Sequence, residues 1–270
     1  MIRALLSSAA AAALVAAAAA PGAAPSSARP LVSLSATPAR LTLLGGIPAT
    51  LMLHNDGSAR VRVVAQTSSF ALDVDGNATV APRREPPRSA RGWLSVRPRQ
   101  LVLAPGQEGL VHVLARPPLG ATAGDHHALV LLSSVVPGRS RVSVRTRLGV
   151  LAFVRVPGRV VRRVTIARVR VLGRHRRIAV TVANHGNVTE RLARGQVTIA
   201  LRRAGRPPVV LRTRPRDLLP GTSGVVSTPL PRSLRGAFVV VARIAGQPAW
   251  TAGPASPALP EASRSLRLRL

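Results

Sequence analysis

Three motifs occur twice along this chain, in the same order. Leu51-Met52-Leu53-His54-Asn55-Asp56-Gly57 has a counterpart in Val180-Thr181-Val182-Ala183-Asn184-His185-Gly186. Each is an apolar strand that stops at an Asn-x-Gly turn. Next come Pro105-Gly106-Gln107-Glu108-Gly109 and Pro220-Gly221-Thr222-Ser223-Gly224, two Pro-Gly-x-x-Gly turns that lead into strands. Last, Pro118-Leu119 runs to Gly124-Asp125-His126 as Pro229-Leu230 runs to Gly236-Ala237-Phe238. Pro-Gly turns are common, but an ordered triple repeat dictates two copies of one β unit. The first copy is longer between its Asn-x-Gly and Pro-Gly turns. The surplus falls at Ala81–Arg91, a Pro/Arg-rich stretch with no β alternation, which predicts an exposed loop.

The rest of the chain agrees with this frame. Short runs rich in Val, Leu and Ile recur between Gly, Pro and Asn, among them Arg60–Ala65, Leu110–Ala115, Leu148–Val156 and Phe238–Ile244. Such spacing predicts β-sandwiches, and the 24 prolines oppose long helices. Aromatic residues are only 2% of the chain, so Trp93 is expected to anchor the first core. Residues 1–28 carry one Arg, an Ala/Leu/Val run and then small residues, the layout of a secretory signal. The organisation expected is a signal peptide over 1–28, a first domain over 30–156, a second over 159–246 and a flexible basic tail over 247–270. The tail's alternating Leu/Arg end could instead pair with a sheet edge.

Several chemistries are excluded by what is missing. There is no cysteine and no lysine, so there is no thiolate ligand, thiol nucleophile, Schiff base or P-loop lysine. His126-His127 is the one histidine cluster, but neighbours on a strand point to opposite faces. No catalytic motif, metal site or cofactor site is expected, and the chain reads as a non-enzyme.

The charge is uneven. Formal net charge is +30, with ten Arg and six acids over 31–137 but 21 Arg and two acids over 138–220. The functional reading is contact with a polyanion through Arg159, Arg162, Arg163, Arg168, Arg170, Arg174, Arg176 and Arg177. The competing reading is a bias of composition towards Arg. Specific nucleic-acid recognition is not expected, because aromatic stacking platforms are lacking. Apolar parity slips at Ala167-Arg168, from Val164 and Ile166 to Val169 and Val171, which predicts a bulge or sheet switch.

Some segments resemble a known family. Leu34-Ser35-Ala36-Thr37-Pro38-Ala39-Arg40-Leu41 resembles a first strand that changes sheets at a proline. Trp93-Leu94-Ser95-Val96-Arg97-Pro98 running into Leu103-Ala104-Pro105-Gly106, and later Asn184-His185-Gly186-Asn187, resemble the extracellular part of WxL-interacting proteins of Gram-positive surfaces. Arg147–Arg155 resembles the last strand of PapD-like fimbrial chaperones. The resemblance implies an all-β fold of two tandem immunoglobulin-like β-sandwich domains. Unlike the WxL-interacting pattern, no C-terminal membrane helix is expected, because the last residues form no long apolar segment.

The resemblance also implies function. The WxL-interacting side implies a secreted, envelope-associated binding module that contacts cell-wall polymer or a surface protein. The chaperone side implies capture of an incomplete subunit by strand donation, through an exposed sheet edge. There a basic cleft grips a C-terminal carboxylate, and Arg40, with Arg147 as second candidate, stands at the matching place. The residues discriminate through the last strand of the first unit. Leu148, Val150, Ala152, Val154 and Val156 alternate, but Leu151 and Phe153 make the opposite face apolar too. Two apolar faces fit a strand packed on both sides, or one facing the second domain, and this favours the binding module.

Overall fold

Apolar residues at every second position build twenty strands in the computed structural model, which describes residues 30–80, 84–135, 145–172, 176–247 and 257–269. The expected signal peptide lies outside the described residues. The first sandwich contains β1 (Leu34–Thr37), β2 (Arg40–Leu44), β3 (Ala49–Asn55), β4 (Val61–Ser68), β7 (Leu94–Arg97), β8 (Gln100–Leu103), β9 (Glu108–Ala115), β10 (Gly124–Val135) and β11 (Arg145–Val156). One sheet runs β1-β3-β9-β7 and the other β2-β11-β10-β4-β8. Between them lies a core of Val, Leu and Ala, including Leu51, Leu53, Val111, Val130 and Val154. Trp93 is half-buried against this core, its ring centroid 4.3 Å from that of His126. β5 (Phe70–Leu72) and β6 (Ala78–Val80) form a small hairpin that belongs to neither sheet.

The second sandwich sets β12 (Val164–Leu172), β13 (Arg177–Asn184) and β18 (Ser223–Pro229) against a four-stranded sheet. That sheet orders β16 (Arg206–Arg212), β15 (Val197–Arg203), β19 (Ala237–Ile244) and β20 (Ala262–Arg269). The short strands β14 (Glu190–Leu192) and β17 (Arg216–Leu218) pair with each other. The fold is therefore all-β, two immunoglobulin-like sandwiches in tandem. Among the described residues the one helical element is a 3-10 turn at Arg91–Trp93.

The repeated Asn-x-Gly motif has a shared physical cause. Asn55 is fully buried, and its side-chain amide donates to the carbonyls of Ala59 (2.8 Å) and Leu103 (3.1 Å). Its Oδ1 accepts from the Gly57 N–H. Asn184 makes the matching set with Val188 (2.9 Å), Leu218 (3.0 Å) and Gly186. Each Asn backbone also bonds its own Pro-Gly turn, at Gly106 and Gln107 or at Gly221 and Thr222. Each buried amide thus ties two turns together and satisfies polar groups that would otherwise lie unpaired.

Two expectations are corrected. The stretch before Trp93 is not simply a surface loop. Residues 81–83 lie outside the described set, but Arg88 to Ala90 run beside β10 where β4 has ended. The His127 N–H donates to Arg88 O, the Ala90 N–H donates to His127 O, and Ala90 is fully buried. Nor is the C-terminal segment a free tail. Ala262–Arg269 is strand β20, paired with β19 over its whole length, and Leu259 is buried in the second core. Arg264 donates to the carbonyls of Ile166 and Ala167, at the bulge in β12. The edge of β19 needed a partner, and the alternating Leu/Arg end supplied one.

Candidate functional site

Pro38 divides the first strand between the two sheets. The Thr37–Pro38 peptide is cis. β1 pairs antiparallel with β3 before it, and β2 pairs parallel with β11 after it. The parallel ladder covers only Leu151 to Arg155 of β11, opposite Arg40 to Leu44. The remaining half, Arg145 to Val150, pairs with β10 alone. Its other edge carries no strand among the described residues.

The orientation of that edge follows from the register. The Leu151 N–H points towards β2 and donates to Ala39 O. With a period of two, the N–H and C=O groups of Arg147 and Gly149 point out along the same open edge. Val150 is buried in the first core and Leu148 packs against it, while Arg145, Arg147 and Gly149 are exposed on the opposite face. The strand is split along its length: its first half is open, and its second half is covered on both faces.

The cover on the second half is the seam between the sandwiches. Phe153 and Leu129 join Phe70 and Leu219 in a separate buried cluster, with Leu72, Leu131 and Leu151 packed on it. The apolar outer face read from Leu151 and Phe153 thus packs against Leu219 of the second sandwich. Arg40 closes the rim. Its guanidinium lies 4.0 Å over the Phe153 ring, and its Nη1 donates to Asp217 Oδ2 at 2.8 Å. The side chains of Arg40 and Asp217 are 33% and 29% exposed, so water still reaches the pair. Arg147 lies on the same face as Arg40, roughly 13 Å away along β11. Arg40 therefore stands at the β2 end of the open stretch and Arg147 lies within it, and the two do not close on one ligand atom.

Other seam contacts were not legible in the sequence. Asp125 is buried, accepts from Arg155 Nε, and takes the Thr189 N–H at 2.7 Å across the seam. Gly124, at φ 107, lets the chain pass against Asn187, where a Cβ would stand 2.1 Å from a carbonyl oxygen. Arg216 is buried, donates to Asp73 O at 2.8 Å, and is held below its usual pKa by desolvation. The Val225 N–H donates to Val74 O beside it. Asp73 itself closes the β5–β6 turn by accepting from the Asp75 and Asn77 N–H groups. The Asp-x-Asp-Gly-Asn sequence signals the turn, but nothing local says what the turn docks on.

The predicted polyanion set divides. The bulge stands where the parity slip placed it, between Ile166 and Arg168, and Arg168 and Arg170 are exposed. Arg159 and Arg163 are exposed as well. Arg162 is a correction: its side chain is 5% exposed and meets Glu190, 2% exposed, through two hydrogen bonds of 2.8 and 2.6 Å. A buried arginine needs such a partner, and one of the few acids supplies it. Arg176 is half-buried and reaches the carbonyls of Pro231 and Leu234, while Arg177 bonds Ser227. Both turn towards the protein rather than a ligand. Arg174 lies outside the described residues. His126 and His127 do face opposite sides, towards Trp93 and Phe70. No cluster of three or more metal-ligating side chains forms among the described residues, and no helix among them is long and apolar enough to cross a membrane.

No protein-family profile matches this chain, and no curated protein matches it. Solved structures do. A chaperone–tip adhesin complex of CFA/I fimbriae biogenesis aligns at 12% identity and a TM-score of 0.48, over 88% of this chain and 98% of the other. The Salmonella enterica SafB chaperone structure with the SafA pilin gives 13%, 0.47, 88% and 99%. The Escherichia coli chaperone DraB gives 14%, 0.45, 87% and 98%. These structural neighbours are PapD-like fimbrial chaperones of immunoglobulin-like fold.

Proposed function

We propose that this protein binds an extended segment of a protein partner along the open edge of β11, as a chaperone or surface-assembly factor that donates a strand. The supporting observation is the half-paired state of β11. Outward N–H and C=O groups at Arg147 and Gly149 would bond the partner's backbone. An incoming strand parallel to β11 would end against Arg40, where β2 begins. The core-facing Leu148 and Val150 keep the donor strand rigid, which lowers the entropic cost of adding a strand. Export to the envelope belongs to this reading, because unpaired subunit edges must be shielded while surface structures assemble.

The reading of a cell-wall polymer binder close to WxL-interacting proteins gains less support. Its basic set is broken up by the inward turns of Arg162, Arg176 and Arg177. The seam between the sandwiches covers only half of β11.

The test places a photo-cross-linker at position 147 of the full chain, with position 170 as control, in the exported fraction of the native host. A discrete adduct at 147 alone is expected. Arg147→Pro removes one outward N–H and leaves the β10 ladder intact, and it should abolish capture by a reporter at 145. Equal adducts at 147 and 170, or capture that survives the proline, would rule out strand addition.

A further inference from the structure

The four-stranded sheet of the second sandwich carries a basic hollow that shares no residue with the edge of β11. It forms where β15 ends at Arg202-Arg203, β19 begins at Ala237 and β20 ends at Arg269. Arg202, Val239 and Arg267 lie in one row across three strands, and Ala237 pairs with Arg269 in the next row. The hollow measures about 400 Å³, and Arg202, Arg203, Arg267 and Arg269 line it together with Ala237, Phe238 and Val239. All four arginines are exposed. Arg203 makes one long bond of 3.4 Å to Arg235 O. The guanidinium groups of Arg202, Arg267 and Arg269 have no hydrogen bond or ion pair among the described residues.

None of the nine acidic residues lines this hollow. Glu261, on the same strand side, pairs with Arg243 at the far end of β20. Four guanidinium groups therefore share a small concave space over an apolar floor without a counter-charge. Like charges gathered on one exposed concave surface repel one another, within a screening length of about 8 Å at physiological salt. An anion of matching charge relieves that repulsion. Strand spacing puts Arg202 and Arg267 about 10 Å apart at the backbone, with Arg269 about 7 Å further along β20. One carboxylate answers one guanidinium. A run of phosphates answers several, each through the forked donor pair that arginine presents. Phe238 is 8% exposed, so nucleic-acid bases have no ring to stack on.

We propose that this hollow binds a linear phosphate chain, either inorganic polyphosphate or the phosphodiester run of a polymer. The site is independent of the β11 edge, so either can fail alone. Titration calorimetry of the full chain at low salt tests it, with inorganic phosphate, tripolyphosphate and an oligo(glycerol phosphate) as probes. Tripolyphosphate or the oligomer should bind well above inorganic phosphate, and which of them binds tighter identifies the source. The double change Arg202→Gln with Arg267→Gln should weaken binding at least about tenfold. Arg60→Gln with Arg62→Gln removes the same formal charge from exposed positions of the first sandwich and should change it less than about twofold. If the first double variant melts early, Arg269→Gln at the strand end carries the same comparison. Equal weakening by both pairs, or no probe binding above inorganic phosphate, overturns the proposal.

Discussion

Asn55 and Asn184 are equivalent residues of the two sandwiches: each is buried, donates to two carbonyls and accepts from the glycine two positions later. Replacement by alanine strands two carbonyls and one N–H at each site. Asn55→Ala or Asn184→Ala should each cost about 2–4 kcal/mol. Urea unfolding measures this, and a midpoint unchanged in both variants would show that the turns hold without the amide.

The seam rim makes a second test. Arg40 stacks on Phe153 and bonds Asp217, both partly in water. Asp217→Ala should cost about 1 kcal/mol or less, as exposed pairs do. Arg40→Ala should cost about 1–2 kcal/mol, since the contact with the ring goes too. A double-mutant cycle reads the coupling, and zero coupling would dismiss the ion pair as a stabilising contact.

Below the rim, Phe70 and Leu219 are almost wholly buried where the sandwiches meet. Phe70→Ala should cost about 3–5 kcal/mol by leaving a cavity. It should also loosen the seam, so hydrogen exchange should rise at the Val225 amide, which bonds Val74 across it. Slow exchange at Val225 in this variant would place the cohesion elsewhere.

His127 predicts an acid sensitivity. Burial pulls its pKa from the usual 6.5 down to about 4, helped by the nearby His126. Neither ring nitrogen has a hydrogen-bond partner among the described residues. The unfolded chain takes up the proton more readily than the folded one, so stability is intact above about 6.5 and falls as pH drops towards about 4. The loss should reach about 3 kcal/mol. His126 is lowered too, first by desolvation, and its effect runs the same way. Asp56 and Asp73 are held below the usual 3.8 by hydrogen bonds, so their losses come at still lower pH. Thermal melts from pH 8 to pH 4.5 check this. His127→Phe should flatten much of the slope, and an equal slope in both proteins would reject the assignment.

The order of strands and turns was legible along the chain because its causes are local. Alternation sets which residues face inward, Asn-x-Gly and Pro-Gly set the turns, and the parity slip at Ala167 marked the bulge in β12. Each signal sits within a few residues of its effect. The sandwiches followed from these signals, and so did the outer apolar face of Leu151 and Phe153.

What the amino-acid sequence by itself determined was the two repeated β units and their internal faces. The tertiary structure alone decided where β2 stops along β11, and so which half of that strand stays open. It decided that Arg162 is buried against Glu190 while Arg168 stays in water, although the two look alike in sequence. It decided that β20 completes a sheet and brings Arg267 and Arg269 beside Arg202. The reason is physical: an arginine's charge is a property of the residue, but its burial and partner depend on strands far away in the chain. Those meet only through long-range pairing, which no local pattern encodes.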